Sequence, residues 1–330
     1  MKTRILGKSG IEVSAVGMGC MGLTHASGDP VDDADAIRVI REAREMGYTL
    51  FDTAECYIGE RADGSVAHNE DVVGAALEGH RDEVVIASKF GVAHAAGRGL
   101  VMDSSAATVR ASLETSLRRL RTDHVDLYYQ HRIDPKVEPE EVAETVTALI
   151  AECKVRAWGI SETDEEYLRR ANAVCPVAVV QNRYSMMARW HEPLFAALEE
   201  LDVALVAFSP MANGFLTGAY SSKTQFEGKQ DFRVGMPQYT EAGEQAAAPL
   251  TALVAELAAA HDATPAQISL AWMLCKKPWI VPIPGSRKVE RLRENLGAAD
   301  VELSADELAR VDALLDTLEL PVFGGHAAVK

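Results

Sequence analysis

Eight short apolar runs, each separated from the next by helical or loop segments, constrain this chain more than any other feature. They are Ala15–Met18, Thr49–Phe51, Glu83–Ser88, Val125–Tyr129, Val155–Gly159, Ala178–Gln181, Ala204–Phe208 and Trp279–Val281. They are apolar almost throughout rather than alternating, as strands buried on both faces are. Between them, Ser105–Leu120 carries Val109, Leu113, Leu117 and Leu120 on one stripe, the spacing of an amphipathic helix. Pro139–Glu152, Asp164–Val174 and Pro193–Leu201 follow their strands in turn. Thr264 with Pro265 reads as an N-cap with proline at the first helical position, opening Ala266–Lys276. Ser304 to Glu307 reads as a capping box before a C-terminal helix over 304–318. This alternation predicts an α/β chain folded as a (β/α)8 TIM barrel. The alternative is a doubly wound sheet. That fold wants a GxGxxG turn opening a helix after the first strand, and GMGCMG at 17–22 does not open one in the right place.

Length alone would suit two domains, but barrels of this kind run to 330 residues as one, so a single domain over 1–330 is expected. Two pieces fall outside the alternation. Residues 1–14, with Arg4–Leu6, a Gly7–Gly10 turn and Ile11–Val13, read as a β-hairpin placed to cap the barrel bottom. Residues 209–245 read as a long loop after strand seven. Such a loop inside a compact domain is usually functional, and here it falls on the C-terminal face where barrel active sites lie.

Composition excludes several classes. No apolar stretch approaches 18 residues, so no membrane partner is expected. The start, MKTRILGKSG, lacks the apolar core of a secretory signal. Five dispersed cysteines without a CxxC fit a reducing, cytoplasmic setting. A net charge of −16 repels phosphate backbones, which argues against nucleic acid as a partner. It also means that an anionic ligand needs a local basic patch. No feature specifies an oligomeric state.

A barrel gathers the C-terminal ends of its strands on one face. Strand two ends at Asp52 with Tyr57 just beyond it, strand three at Lys89 and strand four at His131. Each has an ordinary reading: Asp52 as a strand-ending turn, Lys89 as a solvated strand end, His131 as a rim histidine. Together on one mouth they suggest chemistry. A metal site would want more histidine or carboxylate. Hydrolysis would want a Ser or Cys beside a base, which keeps Cys56 in view. Tyrosine beside lysine has a clearer logic. A phenol of pKa about 10 is brought nearer the working pH by a neighbouring ammonium, and a carboxylate holds that ammonium charged. The product is a general acid, with a neutral imidazole to orient a carbonyl oxygen. The remaining reagent would be a cofactor hydride. Residues 282–295, PIPGSRKVERLREN, supply a turn and a helix start after the last strand, with Ser286, Arg287, Lys288 and Arg291. Either this is an ordinary basic helix face or a phosphate clamp. As a clamp it suits a 2′-phosphate, favouring NADP over NAD.

Taken in order, GMGCMG (17–22), FDTAECY (51–57), NEDVVGAAL (69–77), VVIASKFG (84–91), SLRRLRTDHVDLYYQHRID (116–134), VRAWGISE (155–162), VVQNRYS (179–185), FSPMANGFLTG (208–218) and IPGSRKVERLREN (283–295) carry a resemblance. The chain resembles the aldo-keto reductase superfamily, in the branch of microbial and plant reductases related to potassium-channel β-subunit-like proteins. The likeness spans residues 3–318. It implies a barrel binding extended NADPH (NADP+ after reaction) and a small-molecule carbonyl substrate. The implied catalytic set is Tyr57 as proton donor, Lys89 and Asp52 as its tuners and His131 as substrate orienter. The implied cofactor set begins with Met21 near the nicotinamide, Asp52 beside it, Ser161 and Gln181 on the carboxamide and Tyr184 stacked on the ring. It continues with Ser209, Pro210, Met211, Gly214 and Leu216 along the pyrophosphate under the 209–245 loop. Ser286, Arg287 and Arg291 would hold the 2′-phosphate, with Glu294 and Asn295 towards the adenine.

Four departures bear on this. Cys153 stands where the family usually has glycine in a turn, which costs energy if that turn needs positive φ. Met187 replaces a common tryptophan. Glu162 replaces an asparagine and is left out of the cofactor set. Residues 58–67 lengthen the loop after Tyr57. Three readings remain at this level: a carbonyl reductase, an NADPH-binding regulatory or sensor subunit with slow turnover, and a barrel isomerase or hydrolase using 284–291 for a substrate phosphate.

Overall fold

The computed structural model describes residues 2–94, 99–226 and 231–324. Eight parallel strands form the central sheet: β1 (Met18–Gly19), β2 (Leu50–Asp52), β3 (Val85–Phe90), β4 (Val125–Gln130), β5 (Val155–Ser161), β6 (Val179–Arg183), β7 (Ala204–Phe208) and β8 (Ile280–Pro282). Each pairs with the next in chain order. The ring closes where the Gly17 N–H donates to Pro282 O (2.9 Å) and the Gly19 N–H to Pro284 O (3.3 Å). A side chain at Gly19 would sit 2.7 Å from Ile283 O, so glycine permits this last seam. The architecture is the (β/α)8 barrel that the sequence predicts.

Four central strands run further than their apolar runs. β3 continues to Phe90, β4 to Gln130, β5 to Ser161 and β6 to Arg183. The ladder is backbone hydrogen bonding, indifferent to whether a side chain is polar, and it carries the polar residues Lys89, Gln130, Ser161 and Gln181 as ordered strand positions. Lys89 and Gln181 therefore stand on rigid elements.

Leu50, Val85, Leu127, Tyr129, Val179, Val206 and Val281 fill the barrel interior. From below, Leu6, Ile11 and Val13 join them. These come from a hairpin pairing Thr3–Ile5 with Glu12–Ser14. Its turn docks on the barrel, with the Lys8 N–H donating to Asp202 O at 3.1 Å. Gly7 (φ 51°) could not carry a side chain there, since Asp202 O would lie 2.4 Å from it. The bottom is thus plugged and the mouth is the open end.

Helices α1 (Asp33–Met46), α2 (Asn69–Leu77), α3 (Ala106–Leu120), α4 (Pro139–Ala151), α5 (Glu165–Val174), α6 (Phe195–Leu201), α7 (Glu241–Ala260), α8 (Pro265–Lys276), α9 (Val289–Gly297) and α10 (Ala305–Leu315) pack outside. Ser304 makes the capping box read from the sequence, and Thr264, read as an N-cap, makes one too with Gln267. The 209–245 segment is only partly a loop. Ala212–Thr217 and Pro237–Tyr239 are 3-10 turns and α7 already begins at Glu241; residues 227–230 lie outside the described residues. The 58–67 insertion is a hairpin of Ile58–Glu60 with Val66–His68. A further hairpin, Val92–His94 with Leu100–Met102, follows β3. Among the described residues, no helix is long and apolar enough to cross a membrane.

Cys153 ends α4 with φ 57°, so the turn does need left-handed backbone. The hydrogen bonds Cys153 N–H to Ile150 O and Lys154 N–H to Leu149 O fix it there. The side chain is exposed. Cys153→Gly should therefore stabilise the fold by about 0.5–1 kcal/mol, after glycine's larger unfolded-state entropy is counted. The urea midpoint should rise at unchanged slope; a fall would show that the strain lies elsewhere.

Candidate active site

The centre of the mouth is Lys89, fully buried on β3. A buried ammonium needs a partner for each of its three N–H donors. Here Nζ donates to Asp52 Oδ1 (2.5 Å), to the Thr53 carbonyl (2.8 Å) and to the Tyr57 hydroxyl (3.2 Å). Strand register sets this up. Asp52 at the end of β2 pairs with Ala87, so Lys89 stands two residues further along on the same face. The second carboxylate oxygen of Asp52 accepts from Gln181 Nε2 on β6 at 2.7 Å, across the barrel.

Tyr57 sits in the turn after β2, its N–H bonded to Ala54 O and its carbonyl accepting from the Asn69 N–H. His131 follows β4 directly, with its N–H on Phe90 O at 3.0 Å. Its ring meets Tyr57 edge-on, with centroids 5.7 Å apart. Its Nδ1 lies 3.4 Å from Cys56 Sγ. The structure therefore brings together Asp52, Tyr57, Lys89 and His131.

Burial pulls the Lys89 ammonium down, but Asp52 and Tyr57 more than offset it and leave it above the ordinary lysine value. Desolvation, together with the charges around it, keeps the His131 imidazole well below its usual range and so neutral; Lys89 and Arg132 push the same way. Tyr57 differs from the sequence expectation. Desolvation pushes its phenol up to about 12, and Lys89, pulling down, is opposed by Asp52. The lysine was expected to bring the phenol towards working pH; in the folded site burial outweighs it, and the carboxylate that holds the lysine opposes it as well.

These strands and this mouth have relatives. An aldo/keto reductase family model matches residues 15–316. The chain is 37% identical over 308 residues to a probable aldo-keto reductase 1 of Glycine max, covering 93% of this chain and 86% of that one. The chain belongs to the aldo/keto reductase family. Among solved structures, it is similar to the glycerol dehydrogenase of Gluconobacter oxydans, with TM-score 0.83, 26% identity and coverage of 95% and 94%. It is also similar to an aldo/keto reductase of Klebsiella pneumoniae solved with NADP and acetate, with TM-score 0.71, 28% identity and coverage of 97% and 100%.

The other residues singled out from the sequence fall in four places in this family member. Ser161 and Gln181 are register partners on β5 and β6, with Ser161 Oγ accepting from Arg132 Nη1 at 3.0 Å. Met21 lies partly buried in a turn just after β1. Ser209, Pro210 and Met211 follow β7, and Gly214 and Leu216 occupy the next turn. Positive φ at Ser209, Ala212, Asn213 and Gly214 coils this backbone tightly. Further along, the Phe232 N–H donates to Ala26 O at 2.9 Å, tying the residues before α7 to the loop after β1. Ser286 Oγ accepts from the Lys288 N–H, and Arg287 Nε donates to Gly22 O at 2.5 Å. Arg291 is paired with Glu294, and Asn295 is buried.

Tyr184 is a correction. It is fully buried, its hydroxyl donates to Glu192 Oε1 (2.8 Å), and its ring packs on Trp272 and Phe195. No face is open for a cofactor ring. The aromatic group at the mouth is Phe208, the last residue of β7, partly buried beneath the Arg132 and Arg183 guanidiniums. Alternation along the strands explains both. Val179 faces the barrel interior, so Gln181 does also, while Val180 and Tyr184 face the helices. On β7, Ala204, Val206 and Phe208 face in. His25, stacked on Tyr57, and His94, next to His25, also escaped the sequence reading; one comes from the loop after β1 and the other from the short hairpin after β3.

Lys89→Met should strip Asp52 of its charged partner inside the barrel and cost about 3–5 kcal/mol of stability. Lys89→Met with Asp52→Asn should recover much of that loss. A double-mutant cycle from denaturant unfolding checks this, and additive losses would show that the two groups do not depend on each other.

Proposed function

We propose that this chain reduces small aldehydes or ketones to alcohols with NADPH, Tyr57 giving the proton to the carbonyl oxygen. The observation that carries this is the buried Lys89, with donors spent on Asp52, Thr53 O and the Tyr57 hydroxyl. A phenol held near 12 keeps its proton through neutral pH. It can still surrender it to an alkoxide, a far stronger base, and the phenolate left behind lies against Lys89. His131, neutral, would orient the carbonyl oxygen. The Cys56 thiol, pushed up to about 12 and so protonated, lies 3.4 Å from His131 Nδ1; with the thiol as donor there, the imidazole hydrogen sits on Nε2, ready to donate.

The residues present fit NADPH. Arg287, Lys288, Arg291 and Arg293 cluster at the start of α9 in a chain of net charge −16. The coiled Ser209–Leu216 backbone follows β7, and the Phe232 N–H to Ala26 O bond ties the residues before α7 to the loop after β1. Met21, Ser161, Gln181 and Phe208 would take the nicotinamide end, with Asp52 behind them. Ser209, Pro210, Met211, Gly214 and Leu216 would follow the pyrophosphate. Ser286, Arg287 and Arg291 would meet the 2′-phosphate, and Glu294 and Asn295 the adenine. Bound there, NADPH supplies hydride to the carbonyl carbon. The Klebsiella relative solved with NADP supports this choice.

Tyr57→Phe should cut kcat by about 10²–10⁴-fold while leaving the NADPH dissociation constant nearly unchanged. Fluorescence titration and steady-state kinetics on one preparation check both, and undiminished turnover would remove Tyr57 from its role. Arg291→Ala should weaken NADPH about tenfold or more and NADH much less, since a charge-assisted bond to the 2′-phosphate is lost. Equal weakening of both would move the clamp elsewhere.

A further inference from the structure

Two guanidiniums stand at the mouth, and the proposed chemistry uses neither. Arg132 follows His131 after β4, and its Nη1 donates to Ser161 Oγ (3.0 Å) and to the His131 carbonyl (2.5 Å). Arg183 ends β6, two residues beyond Gln181 and so on the same inward face. Its register partner is Phe208. The two charges share that ring: Arg132 Cζ lies 5.9 Å and Arg183 Cζ 4.9 Å from its centroid. The pair thus touches Ser161 and Phe208 and stands next along the strand from Gln181, three side chains proposed for the nicotinamide end.

These charges are poorly answered. Only 9% of Arg183 is exposed, and its guanidinium makes one hydrogen bond among the described residues, a long one to Asn213 Oδ1 (3.4 Å). Glu162, in the turn after β5, acts on both arginines. Its carboxylate, however, accepts from the Arg183 backbone N–H (2.7 Å) and faces His191 Nε2 at 3.6 Å. Burial pulls the Arg183 guanidinium down to about 10, with Glu162 opposing and Arg132 adding to the pull, so it stays charged at neutral pH. Stacking explains part of this. Arg183 also lies 5.4 Å from the Phe323 ring, and a side chain at Gly324 would meet its Nε at 2.8 Å, so it seats the chain that follows α10. Seating asks only for a flat or apolar side chain. It gives no reason to hold two positive charges together against one carboxylate, where burial penalises them.

We propose that Arg132 and Arg183 make this site distinguish the two redox states of its cofactor, weakening the positively charged ring of NADP+ against the neutral ring of NADPH. This rests on the reading that puts the nicotinamide at Ser161, Gln181 and Phe208. The phosphates and the adenosine are common to both states, so whatever the guanidiniums do to them cancels in the ratio of affinities. Lys89 and Asp52 contribute one charge of each sign. Arg132, Arg183 and Glu162 add two positive and one negative, which leaves net repulsion for a pyridinium. At a protein's effective dielectric, one unanswered charge about 10 Å from another is worth about tenfold in affinity. Oxidised cofactor then leaves more readily than reduced cofactor, which suits a site that loads NADPH.

Fluorescence titration of the wild-type protein should give a dissociation constant about tenfold or more higher for NADP+ than for NADPH. Arg183→Met and Arg132→Met each remove one charge and should bring that ratio towards one, whereas Arg183→Lys should keep it. Arg291→Ala, at the phosphate end, should weaken both nucleotides together and leave the ratio alone. Equal constants in wild type, or a ratio that neither Met variant lowers, overturns the inference and leaves NADPH-dependent reduction standing. Binding of neither nucleotide overturns the cofactor reading and this inference with it. A third ligand makes the test independent of the variants folding. 2′-Phospho-ADP-ribose carries the same phosphates without the ring. In wild type, NADPH should bind about tenfold or more tighter than this fragment, and NADP+ no tighter than it. A ring that helps NADP+ as much as it helps NADPH overturns the inference.

Discussion

A buried ammonium is the constraint on which this mouth depends. Lys89 has no solvent to fall back on, so each of its three donors must find an acceptor inside the barrel. Asp52 and the Thr53 carbonyl come from the end of β2, and the Tyr57 hydroxyl from the turn beyond it. Meeting that demand fixes how far β2 runs, which way its last side chain points and where the following turn places its phenol. Gln181 then caps the other oxygen of Asp52 from β6, so the network spans the barrel rather than one strand pair.

The scaffold holds these positions by leaving little room to move. The hairpin at 3–14 fills the bottom with Leu6, Ile11 and Val13, and the first and last strands meet backbone to backbone at Gly17 and Gly19. A closed ring has no free edge, so a shift of one strand disturbs two neighbours. At the mouth the loops are tied to one another in turn, by Thr24 Oγ1 to Tyr57 O, His25 to Ile58 O, His94 to Cys56 O and the Phe232 N–H to Ala26 O.

How much of this was legible follows from where each signal lives. All eight strands were readable because burial on both faces writes an apolar run into the chain. Asp52, Tyr57, Lys89 and His131 were readable because strand ends are ordered by the fold before any side chain is considered. Tyr184 was misplaced because a motif was followed where alternation along β6 already turned that residue away from Gln181. Phe208 carried the opposite parity in plain view. His25 and His94 had no such marker. They depend on how separate loops meet in space, which one stretch of sequence does not encode.

The electrostatics follow from the same ion pair. Desolvation carries the Tyr57 phenol up to about 12; Lys89 draws it down, and Asp52, bound to Lys89, opposes that pull. Removing Asp52 would expose Tyr57 to an uncancelled positive charge, but it would also remove the first of the two groups that hold Lys89 above its ordinary value against burial. The carboxylate thus trades acid strength for a lysine that stays charged. That exchange favours a site whose proton must remain in place until a strong base forms beside it. The phenolate that forms then gives Lys89 a second negative partner beside Asp52.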